Sequence, residues 1–314
     1  MPLTIQSVIS RLSFRQLQVF NAVFKLQSYT KAGDLLGLTQ PAVSSQIRQL
    51  EQALGQPLFE YVGRRLFCTL AGERLAQSVE TIFTELKLLK SDFAALDGNI
   101  SGELKLLAVS TAQYVVPHLL REFRYLYPQI AVSMTVVNRA TALQRLNSNS
   151  DDLVIMGMVP HTKPYAALPF LDNELVPVSP SGHPLLAKNN VKADEFLTQD
   201  LLIRETGSGS RLALEKHCQQ HKLKIIPAME LGSNEAIKHA VMAGLGVAVL
   251  PKFSVLLELE LGKLNMVKVE NFPLKQSWSV VYPKAKHLTL SMQVFLEFIE
   301  QHKHNFTKSI IGGL

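Results

Sequence analysis

Cysteine is almost missing from this chain: there are two in 314 residues, Cys68 and Cys218. They are far apart and fall in different expected domains, so neither a disulfide framework nor a CxxC metal site is suggested, and two reduced thiols are expected. Lys216 and His217 are the only cations near Cys218 in sequence, too little to favour redox sensing there. Long apolar runs are missing too. The opening MPLTIQSVISRLSFRQ has no continuous apolar segment leading to a small-residue cleavage site, so a cytoplasmic protein is expected. Catalytic constellations are lacking as well: no nucleophile with a base, no metal set and no paired carboxylates at supporting spacing. His217 and His221 are four apart but have no third ligand, which favours a solvated helix face. Gly244 and Gly246 form only GLG, short of a dinucleotide fingerprint. No catalytic residue, metal or cofactor is therefore expected.

What is present is enough apolar sequence, 47%, to bury more than one core, in two or three compact units. The net charge of +6 is uneven. Residues 1–72 carry seven Lys or Arg against three Asp or Glu, while the remainder carries 25 against 23. Such a modest excess gives weak, salt-sensitive attraction to phosphate, so useful affinity for nucleic acid would require two copies.

The densest pattern runs from Tyr29 to Gly72. A helix from Thr30 to Leu36 is followed by Gly37, suited to a tight turn, and then by a second helix opening at Thr39. The Thr39 hydroxyl can cap free N–H groups, and Pro41 fits a first turn, where its missing N–H costs nothing. Val43, Ile47, Leu50 and Leu54 make one apolar stripe. The opposite face presents Gln40, Ala42, Ser44, Ser45, Arg48 and Gln49, small or amide-bearing groups that fit base edges in a major groove. Upstream, Phe14, Leu17, Phe20, Val23 and Phe24 predict a third helix packed beneath both. Arg64 and Arg65 sit beside Gly63 at the expected tip of a hairpin between Phe59 and Leu66, where a guanidinium can reach phosphate or a minor groove.

Directly after this hairpin, Leu75, Val79, Ile82, Leu86, Leu89, Phe93 and Leu96 alternate spacings of four and three, the seam of a two-helix coiled coil. A single amphipathic helix packed on its own domain is the other reading of the same stripe. If two chains pair along it, their recognition helices face successive major grooves and the target is an interrupted inverted repeat.

From Glu103 onward strands and helices alternate. LKLLAV, VSMTVV and DLVIMGM, then LVPVSP, DLLI, AMELG and VAVL, predict two α/β lobes with mainly parallel strands. The closing strand QSWSVVYP and the helix from Ser291 to Gln301 could belong to either lobe. Ligands of such sheets collect at strand carboxyl ends and helix N-termini. Ser110 and Thr111, the segment Met156 to Pro160 with Gly157, and the loop Gly207 to Arg211 occupy such places. With Arg204 and Arg211 flanking it, that loop could hold a phosphate or carboxylate, though a plain capping turn explains GSGS about as well.

The segment Ala32 to Gly72 resembles the N-terminal domain of LysR-type transcriptional regulators. The matching pieces are Ala32 with Gly33, Thr39 to Ser44 (TQPAVS), Gln46 with Ile47, Leu50 with Glu51, Leu54 with Gly55, Leu58 with Phe59, and Thr69 to Gly72. Tyr61 stands where arginine is usual and Cys68 where leucine is common. Further on, VSTAQYVVPHLL, DLVIMG, RETGSGSRLALE and MELGSNEAIKHAVMAGLGVAVLP look like the CbbR or RbcR branch, associated with Calvin-cycle and carbon-assimilation promoters and with small, often phosphorylated effectors.

The resemblance implies an α/β chain with an N-terminal winged helix-turn-helix (1–72), a linker dimerisation helix (73–98) and a two-lobed, periplasmic-binding-protein-like effector domain (99–314). Lobe 1 is expected at about 103–172 and 273–301 and lobe 2 at about 173–272, with crossings near Asp172 to Leu175 and Asn271 to Gln276. It places Ser110, Thr111, Asn138, Thr206, Ser208, Ser210 and Asn234 at the cleft, while Ala140 stands where relatives often have an acidic residue. It also implies double-stranded DNA, a small effector, a second copy of the chain in a dimer or tetramer, and RNA polymerase as partners. The rival reading is a small-molecule binding protein or enzyme on the same scaffold, its N-terminal domain serving only for assembly.

Overall fold

The computed structural model describes Gln6 and residues 12–63, 65–96, 100–160 and 164–311. The chain divides into two compact units, residues 1–90 and 91–314.

The first unit opens on a capping box. Ser13 Oγ accepts the Gln16 N–H at 3.2 Å and Gln16 Oε1 accepts the Ser13 N–H at 3.0 Å, starting α1 (Phe14–Leu26). Helix α2 (Tyr29–Leu36) is capped by Ser28 and ends at Gly37, in the left-handed conformation at φ +65°. Thr39 caps α3 (Gln40–Leu54), its hydroxyl accepting the Ala42 N–H at 3.4 Å. The small pair Ala32 and Gly33 has a steric cause: a Cβ on Gly33 would stand 2.6 Å from the Leu38 carbonyl oxygen. Val43, Ile47 and Leu50 bury with Leu17, Phe20 and Val23 as one core, and Ala53 is buried where Leu54 is only partly so. Phe14 departs from its expected place in the packed stripe. It is the first helical residue and 60% exposed, and burial begins only at Gln16 and Leu17.

Strands β1 (Phe59–Val62) and β2 (Arg65–Cys68) form an antiparallel hairpin with Val62 opposite Arg65 and Gly63 at φ +65° in the turn. Glu51 holds its root, accepting the N–H of Leu58 at 2.8 Å and of Phe59 at 3.3 Å. Helix α4 (Leu70–Leu96) follows, capped by the Thr69 hydroxyl on the Gly72 N–H at 3.1 Å. Val79 is fully buried in the first unit's core and Leu75 packs against it, whereas Ile82, Leu86, Leu89 and Phe93 are exposed. The stripe therefore does two things: its first turns seal the unit and its later turns are left uncovered. Leu96 ends the helix, but its side chain lies outside the described residues.

The second unit contains β3 (Gly102–Val109), α5 (Val116–Leu126), β4 (Ile130–Val137), α6 (Arg139–Asn147), β5 (Leu153–Met156) and the long β6 (Tyr165–Pro180). After these come α7 (Ala193–Leu197), β7 (Leu201–Arg204), α8 (Gly209–Gln220), β8 (Pro227–Leu231), α9 (Asn234–Met242) and β9 (Val247–Pro251). It closes with α10 (Leu256–Glu260), β10 (Leu264–Met266), β11 (Leu274–Pro283) and α11 (Leu290–Ile311). One hydrogen-bonded path joins the strands in the order β4-β3-β5-β11-β6-β9-β7-β8, with β10 on β6.

Two strands carry the chain between lobes. Asn173 of β6 pairs with Gln276 of β11 and Leu175 with Leu274. Lobe 1 buries Leu104, Leu107, Ile155, Trp278, Phe123, Phe295 and Phe298 in one cluster. This places the last strand and helix in lobe 1, a choice the sequence pattern left open. Lobe 2 buries two clusters, one around Phe196, Leu201 and Val247 and one around Val178, Ile237 and Leu250.

The expectation of mainly parallel strands needs correction. β3–β4, β3–β5, β7–β8 and β7–β9 are parallel, but β5–β11, β11–β6, β6–β9 and β6–β10 are antiparallel. Each lobe takes in a crossing strand that runs against its own parallel set.

Candidate functional site

On the first unit, α3 presents its free side to solvent. Thr39, Gln40, Pro41, Ser45 and Arg48 are exposed, Ala42 and Ser44 half-buried. Gln49, on the same polar face, is exposed as well, and its Oε1 accepts from Gln16 Nε2 at 3.4 Å. Gln40 also borders a concavity of about 420 Å³ shared with Ser28, Thr30, Tyr61 and Arg65. Helix tip and hairpin thus frame one groove with amide, hydroxyl and guanidinium donors and, among the described residues, no carboxylate on its wall. Arg65 is exposed on β2, and Arg64 lies outside the described residues. Tyr61, where arginine is usual, is 64% exposed on β1.

On the second unit, the lobes meet around a cavity bordered by Ser110, Thr111, Gly157 and Ser210 from the sequence-predicted set and by Arg139, Asn173 and Gln276, which the pattern did not single out. Trp278, the only tryptophan of the chain, forms part of its floor. It is fully buried and donates from Nε1 to Thr111 Oγ1 at 3.2 Å. A register shift at Trp278/Ser279, where β11 pairs with β6, sets its local position. Gly157 lies against β11, where an added Cβ would be in ordinary contact, 3.4 Å from the Ser277 carbonyl oxygen.

The lobes are drawn together. Ala140 N–H donates to the Gly207 carbonyl at 3.0 Å, and the Tyr114 hydroxyl donates to Glu235 at 2.8 Å. Arg204 reaches Ser110 Oγ at 3.4 Å, and Asn138 Nδ2 reaches Glu205 at the same distance. Free space in the cavity is about 10 Å³, on the scale of one water.

Arg204 was a candidate for holding an anion from its place beside the glycine-serine loop. It is buried, but its Nε and Nη2 donate to the Glu205 carboxylate at 2.7 and 3.0 Å and its Nη1 to Asn234 Oδ1 at 2.6 Å. Its charge is already matched. Arg211 is likewise bonded to Glu215 and Glu230. Asn234 and Asn138 therefore stand around the cavity as parts of the interlobe network, and Asn138 also caps α6 through the Thr141 N–H at 3.0 Å. Thr206 is exposed and does not border the cavity, and its N–H donates to Glu230 at 3.4 Å.

Ser208 is buried at the start of α8 and makes no capping bond, its hydroxyl pairing with that of Ser210 at 3.1 Å. The simple capping turn that would have explained GSGS is not formed.

His217 corrects another expectation. It is half-buried rather than solvated, its ring 4.8 Å from Phe272 and 4.5 Å from His221. Burial first, and His221 second, lower its pKa. No group of three or more metal-ligating side chains occurs among the described residues.

The helix-turn-helix domain of the lysR family of bacterial regulatory proteins matches residues 14–73, and the LysR substrate-binding domain matches residues 97–303. The chain belongs to the LysR family. It is 39% identical over 92% of its length to the HTH-type transcriptional activator CmpR of Synechocystis sp., covering 95% of that protein. It is 38% identical over 93% of its length to a RuBisCO operon transcriptional regulator of Acidithiobacillus ferrooxidans, covering 94% of it. The regulatory domain of Synechocystis CcmR, solved in complex with 2-PG, superposes with a TM-score of 0.62 at 36% identity, over 65% of this chain and 99% of that one. The LysR-family chain is thus a DNA-binding transcriptional regulator with a two-lobed effector domain, and not an enzyme. No helix among the described residues is long and apolar enough to cross a membrane.

Proposed function

We propose that the chain regulates carbon-assimilation promoters in the cytoplasm, as a dimer or tetramer whose hold on DNA changes when a small anionic metabolite enters the interlobe cleft. Thr39, Gln40, Pro41, Ala42, Ser44, Ser45 and Arg48 read base edges, while Arg64 and Arg65 take phosphate or a minor groove. Leu75 and Val79 anchor α4 to its own unit, and Ile82, Leu86, Leu89 and Phe93 pair it with a second copy. Support for that division lies in burial: the stripe changes from covered to exposed at Ile82. Two such copies place their recognition helices on an interrupted inverted repeat, and RNA polymerase is a further partner.

The effector site takes Ser110, Thr111, Gly157, Ser208 and Ser210 as its near wall, with Arg204, Asn138, Thr206 and Asn234 as the surrounding frame. The closeness of the lobes carries this reading. With room for about one water, the cleft admits a metabolite only if the lobes part, so occupancy and conformation are linked. The 2-PG bound by the CcmR domain points to the same class of signal, and the RuBisCO operon regulator to the same class of promoter. The test is a thermal-shift screen of the full chain with sugar phosphates, nucleotides and organic acids, followed by gel shifts on promoter fragments with each hit. A hit that moves both readings supports the proposal, and a screen in which no anion moves either reading contradicts it.

A further inference from the structure

Arg139 opens α6 at the edge of the cavity, and it is the guanidinium there whose charge is not spoken for. Its Nη2 donates to the Met158 carbonyl at 2.7 Å, its Nε is buried with no partner, and no ion pair is formed by it among the described residues. Burial lowers its pKa, the mark of a cation held without an anion to offset its desolvation. The other cations nearby are compensated: Arg204 by Glu205, Lys238 by Glu235 and Glu258, Lys252 by Glu174.

Two further features converge on the same cavity. The α8 N-terminus supplies Gly209 and Ser210 to its wall, with no side-chain cap on the helix, and free N–H groups at such an end favour an anion. Gly209 lies against Arg139: a Cβ there would be in ordinary contact, 3.4 Å from Arg139 Cδ. Asn173, which also borders the cavity, is 2% exposed and its Oδ1 has no partner among the described residues. Asn173 is on the crossing strand β6, paired in register with Gln276 of β11, so a ligand held there touches the hinge itself.

Resting on the effector reading above, we infer that Arg139 and Asn173 are the specificity-determining pair of the cleft. Arg139, with the α8 N-terminus, takes the oxyanion of a compact phosphorylated or carboxylated acid. Asn173 takes a second polar oxygen of the same molecule, since a carboxamide can present either an acceptor or a donor. Inorganic phosphate satisfies only the first half of this arrangement.

Trp278 lines the cavity and is the chain's only tryptophan, so its fluorescence reports binding in the full-length protein without a label. Titrations with phosphoglycolate, 3-phosphoglycerate and inorganic phosphate are compared for the wild type and for Arg139→Gln, Arg139→Lys, Asn173→Leu and the remote charge control Lys188→Gln. The expected results are a loss of at least tenfold in affinity for both organic phosphates in Arg139→Gln, an intermediate loss in Arg139→Lys, and wild-type binding within twofold in Lys188→Gln. Asn173→Leu should bring both organic phosphates to the affinity of inorganic phosphate. Melting curves establish that each variant is folded, and Arg139→Lys keeps the test alive if the glutamine variant is not. Wild-type affinity in both Arg139 variants, or unchanged selectivity in Asn173→Leu, overturns the pair while leaving the effector reading intact. A wild type that answers to none of the anions overturns that reading and the pair with it.

Discussion

The phenol of Tyr114, on the short turn after β3 in lobe 1, donates to the Glu235 carboxylate at the start of α9 in lobe 2 at 2.8 Å. Burial first, and this bond second, push the tyrosine up to about 12. Burial works to raise Glu235 as well, but Lys238 and Tyr114 outweigh it and hold the carboxyl below its ordinary value. The neutral phenol is the favoured form in the folded chain. Its contribution is therefore complete below the ordinary tyrosine value of 10.0 and fades as pH rises towards about 12. The glutamate's contribution is complete above its ordinary value and fades as pH falls through its lowered one. Between these limits the clasp is insensitive to pH.

Tyr114→Phe removes one hydrogen bond to a partly exposed carboxylate, worth about 1 kcal/mol. The empty cleft then opens more readily, because a closed form that excludes ligand is penalised relative to an open one. Acrylamide quenching of Trp278 should rise, and affinity for small organic phosphates should increase by up to about fivefold. The wild-type quenching should stay flat from about pH 6 to 9. Unchanged quenching in the variant would remove Tyr114 from the clasp.

Gly33→Ala places a methyl group 2.6 Å from a backbone oxygen that cannot swing away. Overpacking of this kind costs about 1–3 kcal/mol. Differential scanning calorimetry should show the melting of the first unit lowered by several degrees, with DNA binding weakened in proportion at the growth temperature.

Leu86 and Leu89 are exposed on α4, so Leu86→Asp with Leu89→Asp should leave the fold within about 0.5 kcal/mol of wild type per site. Sedimentation velocity should instead show dimers falling apart, and DNA retention at moderate salt should fall with them. A double variant that sediments as the wild type does would move the pairing surface elsewhere.

Gln40→Ala and Arg65→Ala should separate reading from gripping. Loss of the amide costs about 1–3 kcal/mol on matched sites and relaxes base preference, whereas loss of the guanidinium weakens all sequences alike and lowers the salt slope by about one. Salt-series gel shifts on matched and scrambled fragments distinguish the two.

Most of the first unit was legible because its constraints are local. A capping threonine and an apolar stripe on α3 each act over a few residues, so spacing alone places them. The stripe on α4 was legible as a pattern but not as a partnership. Val79 and Leu86 carry the same signal, and only burial separates the one that seals its own unit from the one left uncovered. The cleft was half legible. Ser110, Thr111 and Ser210 follow from strand ends and a helix start, whereas the engagement of Arg204 joins its neighbour Glu205 to Asn234, thirty positions away, and nothing local marks the second partner. Arg139 and Asn173 were missed for a related reason. An arginine at a helix start and an asparagine within a strand look ordinary until the lobes are brought together around them.

The most direct test of the account is to select, from a pool of random duplexes, those retained by the full-length protein, and to sequence them. The account predicts enrichment of an interrupted inverted repeat whose half-sites are separated by whole helical turns, with the enriched set lost in Gln40→Ala. Retention without any enriched sequence, or enrichment of a lone half-site, would contradict paired reading by the α3 helices.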